Sequence, residues 1–331
     1  MNLSTLVGND GLKRQLSLQA ARRGLSHAYI LSGPAGSGRH TLARLLAAAF
    51  VCSGGGEQPC LSCPGCRKAM ADIHPDIIRI GADGKDITVA QIRTLRADAY
   101  IRPNEADRKV YLLENAHTMN DSAQNAMLKL LEDGPAYAAF VLLVENAAAL
   151  LPTVRSRCET LTLSPVSPEQ AEQYLTRRYP ARSEGDIRAA ALRCSGLLGR
   201  AVSALEEDGP QDDTLTSTAC ALLGCLSNGE ERTLAELCIS LEKWDRDRFC
   251  ALLDELILLL RDALVFQTGH CGDADPGRGQ AAQAAAAICP AASLVQSAAL
   301  CEQLRTACGF NVGVGHLCGW LCAGLITGSA T

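Results

Sequence analysis

The chain has 331 residues, more than one compact core holds, so we expect two or three domains. A hydrophobic content of 47% with 20% charged residues is ordinary for a globular protein and excludes a disordered chain. The net charge of −5 excludes a broad positive field for nucleic acid, so any DNA contact must be local or shared with other chains.

Three features of the sequence bear on localisation, and together they predict a cytoplasmic protein. The first ten residues lack the basic and apolar regions of a signal peptide. Residues 309–327 are apolar and long enough to span a membrane, but Leu317, Trp320, Leu321 and Leu325 recur at helical spacing, which predicts the buried stripe of a packed helix. Twelve of the 16 cysteines are scattered among apolar residues, as expected for reduced core thiols.

Strand and helix patterns alternate through the first half of the chain. Short apolar runs predict strands, and the amphipathic stretches between them predict helices. The predicted strands cover 27–32, 76–80, 109–113, 139–144 and 160–163, and the predicted helices cover 41–51, 87–100 and 121–132. This alternation predicts an α/β fold with a parallel sheet covered by helices on both faces.

After Pro165 the pattern is helical only. Three short helices are predicted at 168–178, 185–194 and 198–207, followed by a linker at 209–213 and a larger helical region from 215. Within that region 269–279 is predicted to be a loop, while the alanine-rich 280–288 fits either a helix or low-complexity sequence. The predicted domains are therefore an α/β domain at 1–165, a small helical lid at 166–208 and an all-α domain at 209–331.

The turn after the first predicted strand has the context and glycine spacing of a P-loop. Gly33, Gly36 and Gly38 stand where a G-x-x-x-x-G-K-[ST] loop would wrap backbone N–H groups around phosphates. Arg39 stands in the lysine position, His40 in the position of the magnesium-binding hydroxyl, and Thr41 follows one residue late. The strand, the glycines and the helix together strongly predict a P-loop fold. The phosphate chemistry is predicted to be impaired, since the planar guanidinium of arginine is a poor substitute for the compact ammonium of lysine. A relic loop that only caps the helix is the alternative.

The third predicted strand ends without the acidic pair that would hold magnesium and polarise an attacking water. Glu114 is one methylene longer than the expected aspartate, and Asn115 replaces the carboxylate that would act as a base. An amide cannot accept that proton. Two lesions in one nucleotide site therefore predict little or no hydrolysis by this chain, with nucleotide binding weak or absent.

Four cysteines lie close together in the sequence, with the spacing C-x7-C-x2-C-x2-C, at Cys52, Cys60, Cys63 and Cys66. Clustered thiolates in a reducing compartment, with prolines and a glycine that make tight turns, suit a tetrahedral Zn²⁺ site. Four protein thiolates leave no open position, so the zinc would be structural. The alternative is an accidental cluster, which two Cys-x2-Cys steps sharing Cys63 disfavour.

Two arginines stand where they could reach a nucleotide. Arg157 follows the fourth predicted strand, and from such a loop it could reach the γ-phosphate of a neighbouring chain as an arginine finger. The alternative is a structural brace against an acid such as Glu159. Arg200 opens a helix of the predicted lid, where it fits either the chain's own nucleotide site or a structural ion pair.

These residues together resemble the clamp-loader subunits of bacterial DNA polymerase III, which belong to the AAA+ class. The resemblance covers residues 5–205, and beyond them the chain matches only in being helical. The stretches that carry it are 6–9, 27–29, 33–38, the four clustered cysteines, 73–76, 109–111, 125–132 and 156–158.

Within this family the nucleotide site separates two kinds of subunit. The motors, gamma and tau, carry lysine plus threonine in the loop and Asp-Glu on the third strand. Arg39, His40, Glu114 and Asn115 depart from that pattern at all four positions, as delta-prime subunits commonly do. The resemblance therefore implies a non-motor subunit with no catalytic activity of its own.

The resemblance also implies partners. It implies a five-subunit ring with gamma/tau motors and the delta subunit, joined through a helical collar at 209–331, that opens a sliding clamp and places it on primed DNA. Arg157 would then enter the ATP site of an adjacent motor. Two alternatives stay open: an active ATP-hydrolysing clamp-loader motor, and a zinc-containing AAA+ binding module outside replication.

Overall fold

A computed structural model describes residues 1–82, 86–194, 196–206, 213–269, 276–308 and 312–329. The chain divides into two compact units, Met1–Glu206 and Glu207–Thr331. The predicted boundary at 165 lies inside the first unit, so the division into a sheet domain and a lid stays a prediction.

The first unit is built around a five-stranded parallel sheet in the order β2-β3-β4-β1-β5. All five predicted strands are confirmed, with small shifts at their ends. They are β1 (Ala28–Ser32), β2 (Ile77–Ile80), β3 (Lys109–Leu113), β4 (Ala138–Val144) and β5 (Glu159–Thr162). Every residue of the three central strands β1, β3 and β4 is buried, which is why these strands read as continuous apolar runs.

Helices cover both faces of the sheet, as predicted. Tyr29 and Leu31 of β1 face the core formed with α1, α2 and α3, while Ile30 faces the core formed with α4, α5 and α6. The helices around the sheet are α1 (Asp10–Arg23), α2 (Arg39–Phe50), α3 (Pro64–Met70), α4 (Val89–Ala99), α5 (Asp121–Asp133) and α6 (Pro152–Arg155). Of these, α1, α3 and α6 were not among the predicted helices.

The rest of the first unit is a small helical group that packs on its own core. It consists of α7 (Pro168–Arg178), α8 (Glu184–Arg193) and α9 (Leu198–Glu206), which confirms the three predicted helices. Ser167 begins α7 through a capping box: its hydroxyl accepts from the Gln170 N–H, and the Gln170 side chain accepts from the Ser167 N–H. Thr88 and Gln91 begin α4 in the same way.

The second unit is helical throughout its described part. Its helices are α10 (Asp213–Asn228), α11 (Glu231–Leu241), α12 (Arg246–Gln267), α13 (Pro276–Ile288), α14 (Ala291–Cys308) and α15 (Val314–Ser329). They enclose one core that includes Leu222, Phe249, Leu260 and Leu304. None of the helices in the described part of the chain is long and apolar enough to cross a bilayer.

Two predictions for this unit were wrong in part. The loop predicted at 269–279 ends early, because α13 begins at Pro276 and proline is favoured in a first helical turn; residues 270–275 lie outside the described part. In α15, Leu317, Leu321 and Leu325 are buried as predicted, but Trp320 is 45% exposed. It turns away from that stripe.

A buried carboxylate fixes the loop that leads into β3. Asp76, just before β2, accepts hydrogen bonds from the backbone N–H groups of Asn104, Glu105 and Ala106 and from the Asn104 side chain, at 2.5–3.2 Å. Burial alone would raise the pKa of Asp76, but these donors outweigh it and lower the pKa below its ordinary value. The loop, and with it the start of β3, is therefore held by one side chain.

We expect Asp76→Ala to lower the free energy of unfolding by roughly 2–5 kcal/mol, since it leaves buried N–H donors without an acceptor. The pKa of Asp76 is lower in the folded state, so its contribution is present above about pH 4 and is lost as pH falls further. Urea unfolding at pH 7 and at about pH 3 should show a smaller difference at the lower pH. Asp107→Ala, in the same loop but exposed, should change stability little.

Candidate nucleotide site, cysteine cluster and arginine loop

The predicted P-loop lies between β1 and α2. Gly36 and Gly38 have φ of 83° and 96°, a backbone region that favours glycine, and Gly38 is the N-cap residue of α2. The Ser37 N–H donates to the Pro34 carbonyl at 3.1 Å, and the Gly33 N–H donates to Val144 of β4. The turn therefore has the backbone conformation that its glycines predict.

The arginine of this turn points into the protein. Arg39 is 5% exposed, and its Nη2 lies 3.7 Å from Oε1 of Glu145, the residue after β4. Burial lowers the pKa of Arg39, which the nearby Glu145 partly counteracts. The buried guanidinium of Arg39 thus lies at ion-pair distance from the exposed carboxylate of Glu145.

The carboxylate of Glu114 also has charged partners within the chain. Oε1 accepts from Nε and Nη2 of Arg79, in β2, at 2.6 and 2.5 Å, and Oε2 lies 3.6 Å from Nε2 of His40. Glu114 is buried, and the contact with His40, reinforced by Arg79, holds its pKa below the ordinary value. Arg79 in turn contacts Asp72, which pairs with Arg44 of α2. A continuous chain of ion pairs fills the end of β3.

Asn115 and Thr41 complete the predicted nucleotide site. Asn115 has a left-handed φ of 52° and starts a short 3₁₀ turn in which the Thr118 hydroxyl donates to its carbonyl at 2.9 Å. Asparagine tolerates this conformation better than most residues. Thr41 is half-buried within α2 and lines the same cavity as Gly36 and His40.

Helix α9 lies directly over the glycine turn. The Gly199 N–H donates to the Gly36 carbonyl at 3.0 Å, and a Cβ on Gly199 would lie 2.7 Å from the Gly36 Cα. A Cβ on Gly36 would lie 3.2 Å from the backbone nitrogen of Arg200, so the backbone of Arg200 lies beside the turn. A cavity of about 240 Å³ remains beside this contact, lined on the helical side by Tyr174 and Arg178.

The four clustered cysteines converge. The sulfur atoms of Cys52, Cys60, Cys63 and Cys66 all lie within 4.8 Å of one another. Three backbone N–H groups point at these sulfurs: Cys60 donates to Cys52, Cys63 to Cys60, and Cys66 to Cys63, at 3.3–3.4 Å. The last of these bonds also caps α3, where Cys63 is the N-cap residue.

The cluster has the geometry and electrostatics of a thiolate metal site. A tetrahedral ion with metal–sulfur bonds of about 2.3 Å would separate its sulfurs by about 3.8 Å, close to the 4.0 Å between Cys60 and Cys66. A hydrogen bond from Ser62, with backbone N–H donors, lowers the pKa of Cys60 to about 5. Burial raises the pKa of Cys66, so that thiol needs a cation to ionise. These four residues could hold a metal ion.

Arg157 lies in the loop between α6 and β5 and is paired within the chain. Its Nη1 donates to the Thr153 carbonyl at 2.9 Å and the Ser156 hydroxyl at 3.2 Å, and its Nη2 forms an ion pair with Glu132 at the end of α5. The alternative of a brace against an acidic side chain has such a partner in the fold, but the acid is Glu132 of α5 and not Glu159. The side chain of Arg157 stays 34% exposed.

The ion-pair partners are the residues that the sequence did not reveal. Arg79, Glu145 and Glu132 lie far along the chain from the groups they bind. Arg79 gave the one available signal, a charged side chain inside an otherwise apolar strand. The other two follow β4 and end α5 on the surface, where acids are common.

A parallel sheet with a glycine turn before α2, followed by a small helical group, is an architecture of the kind found in AAA+ proteins. A family described as DNA polymerase III, delta subunit, matches residues 8–167. The DNA polymerase III subunit delta' of Bacillus subtilis is 38% identical over 151 residues, which are 46% of each chain. That of Haemophilus influenzae is 29% identical over 257 residues, 76% of each chain. The tau subunit of Escherichia coli is 30% identical over 257 residues, 76% of this chain and 39% of tau.

These matches support a similarity of the chain to the delta-prime subunits of the DNA polymerase III clamp loader. The match spans less than half the length of the Bacillus relative. Residues beyond 167 lie outside the family match.

Proposed function

We propose that this chain is the non-motor subunit of a bacterial clamp loader, and that it supplies Arg157 to the ATP site of a neighbouring motor. The observation that carries the proposal is the state of its own nucleotide site. Arg39 is buried 3.7 Å from Glu145, and Glu114 forms an ion pair with Arg79 and lies 3.6 Å from His40. The groups that would hold phosphate and magnesium are neutralised inside the chain.

The lesions act on different parts of the hydrolysis step. A phosphate at the turn would have to compete with Glu145 for Arg39, and a magnesium ion would have to compete with Arg79 for Glu114. Asn115 cannot serve as a base. Electrostatic stabilisation is the main contribution of such sites, so hydrolysis fails even if nucleotide binds through the glycine backbone.

Arg157 suits a finger acting on another chain. It lies on a loop beyond the sheet, and a guanidinium can stabilise the charge that develops on a transferring phosphoryl group. The Ser156-Arg157-Cys158 stretch is also part of the resemblance to clamp loaders. The implied partners are gamma/tau motors and delta in a pentameric ring, the sliding clamp, and primed DNA through the complex.

We further propose that the cysteine cluster binds one structural Zn²⁺. The lobe lies between α2 and β2, where Cys66 and Ala69 pack on the core of the sheet, and a metal would cross-link the turns at 52–63 to α3. All four ligands are thiolates of this chain, which leaves no position for a substrate.

The isolated chain should hydrolyse no measurable ATP. The test is a steady-state assay of the purified chain beside the Arg39→Ala variant, which removes the buried guanidinium. Turnover of about 1 per second or more, abolished by Arg39→Ala, would identify an active motor instead and contradict the proposal.

Purified protein should contain one zinc per chain, and Cys63→Ser should lose it. The variant should also exchange backbone hydrogen faster at 52–66, because the thiolate that links α3 to the metal is gone, while β1, β3 and β4 stay protected. Cys322→Ser, which changes a cysteine of α15, is the matched control and should keep its zinc. A fully folded chain without metal would disprove the site.

In a reconstituted ring, Arg157→Ala should reduce clamp-dependent ATP turnover and clamp loading without loss of assembly. A finger acting in trans can contribute roughly 10³–10⁵ in rate at the site it completes. A ring with several motors would lose only that site's share. Arg157→Lys keeps the charge but not the planar fork and should also be impaired. Unchanged turnover in a correctly assembled ring would defeat the assignment.

A further inference from the structure

The guanidinium of Arg157 is almost fully used within its own chain. Both contacts of Nη1 are to groups of the preceding loop turn, the Thr153 carbonyl and the Ser156 hydroxyl. Nη2 is paired with the Glu132 carboxylate. Nε is buried, and within the described part of the chain it has no acceptor. A free edge for a phosphate is therefore missing in this conformation.

Helix α5 provides both anchors of the arginine loop. Near its start, the Gln124 side chain accepts from the Leu151 N–H at 2.8 Å and donates to the Met119 carbonyl, which fixes the beginning of the loop. In its last turn, Glu132 holds the end of the loop through Arg157. Gln124 is buried, whereas Glu132 is exposed. The buried contacts of Gln124 therefore hold the start of the loop in place. At the end of the loop, an external anion can reach Arg157 and replace the exposed Glu132.

We propose that Glu132 parks Arg157, by which we mean that its carboxylate occupies the guanidinium in place of a phosphate. The phosphate of a nucleotide bound by a neighbouring chain then has to displace Glu132 before it can bind Arg157. The proposal rests on the finger role of Arg157 proposed above. Carboxylate and phosphate oxygens accept hydrogen bonds from the same N–H edges of a guanidinium, so they compete for it. The ion pair with Glu132 therefore occupies Arg157 within this chain, although the proposed action of Arg157 is on a nucleotide in a neighbouring chain.

The ion pair between Glu132 and Arg157 must be weak if a phosphate is to replace Glu132. Exposed ion pairs shift an equilibrium by about twofold to fivefold at most, which lowers the available fraction of Arg157 without removing it. Affinity for a neighbour's phosphate falls by the same fraction. A buried pair would instead hold the arginine permanently. The side chain of Glu132 is 44% exposed, so its ion pair with Arg157 belongs to the weak, exposed kind.

The first experiment uses the isolated chain, where no neighbour contributes. Phenylglyoxal modifies accessible guanidinium groups, and mass spectrometry compares modification at Arg157 with that at Arg155. Arg155 is exposed and, among the described residues, makes no side-chain ion pair, so it serves as the internal reference. Glu132→Gln should raise the Arg157 rate by about twofold to fivefold. Asp133→Asn removes the same charge one residue later and should leave the rate unchanged.

The second experiment uses the reconstituted ring with the same two variants. Glu132→Gln should raise clamp-dependent ATP turnover, Asp133→Asn should not, and Arg157→Ala should lower it. If Arg157→Ala leaves turnover unchanged, the finger assignment fails, and the modification rates still decide whether Glu132 parks the arginine. Modification of Arg157 in the Glu132→Gln variant at the unsubstituted rate overturns the parking proposal. Where Arg157→Ala lowers turnover, a Glu132→Gln ring with turnover at or below that of the unsubstituted ring overturns it as well. A fall in turnover would identify Glu132 as a positioning residue instead.

Discussion

A buried carboxylate has to be paired, and the pairing of Glu114 organises the centre of the first unit. The carboxylate stands at the end of β3 with little access to water, so leaving it without partners would cost several kcal/mol. Arg79 and His40 satisfy it from β2 and α2, and Arg79 extends the chain of charges to Asp72 and Arg44. The strand order makes this possible, because β2 lies beside β3.

The P-loop-type turn between β1 and α2 is also held by contacts within the chain. The turn is held by its own glycine conformations and by hydrogen bonds to β4 and α9, none of which involves a phosphate. Arg39 is buried with its Nη2 3.7 Å from Glu145, which partly offsets the cost of burying the guanidinium. The backbone of the turn is therefore held by contacts within the chain and does not depend on a bound phosphate.

Local patterns were sufficient to predict the sheet, because β1, β3 and β4 are buried at every position and leave uninterrupted apolar runs. Glycine spacing predicted the turn, and cysteine spacing predicted the convergence of four sulfurs. The partners of Arg39, Glu114 and Arg157 were beyond prediction, since each ion pair joins residues brought together only by the tertiary fold. The exposed Trp320 shows a related limit: periodicity locates a helix face, but the neighbouring helices decide its width.

The contact between Gly36 and Gly199 has a consequence for motion. Because two backbone segments touch with no side chain between them, the small helical group cannot tilt away from the turn by changing a rotamer. Any hinge movement has to break the hydrogen bond from the Gly199 amide and separate the two glycines together. The amide proton of Gly199 thus reports on this motion, because its protection from exchange measures how often α9 separates from the glycine turn.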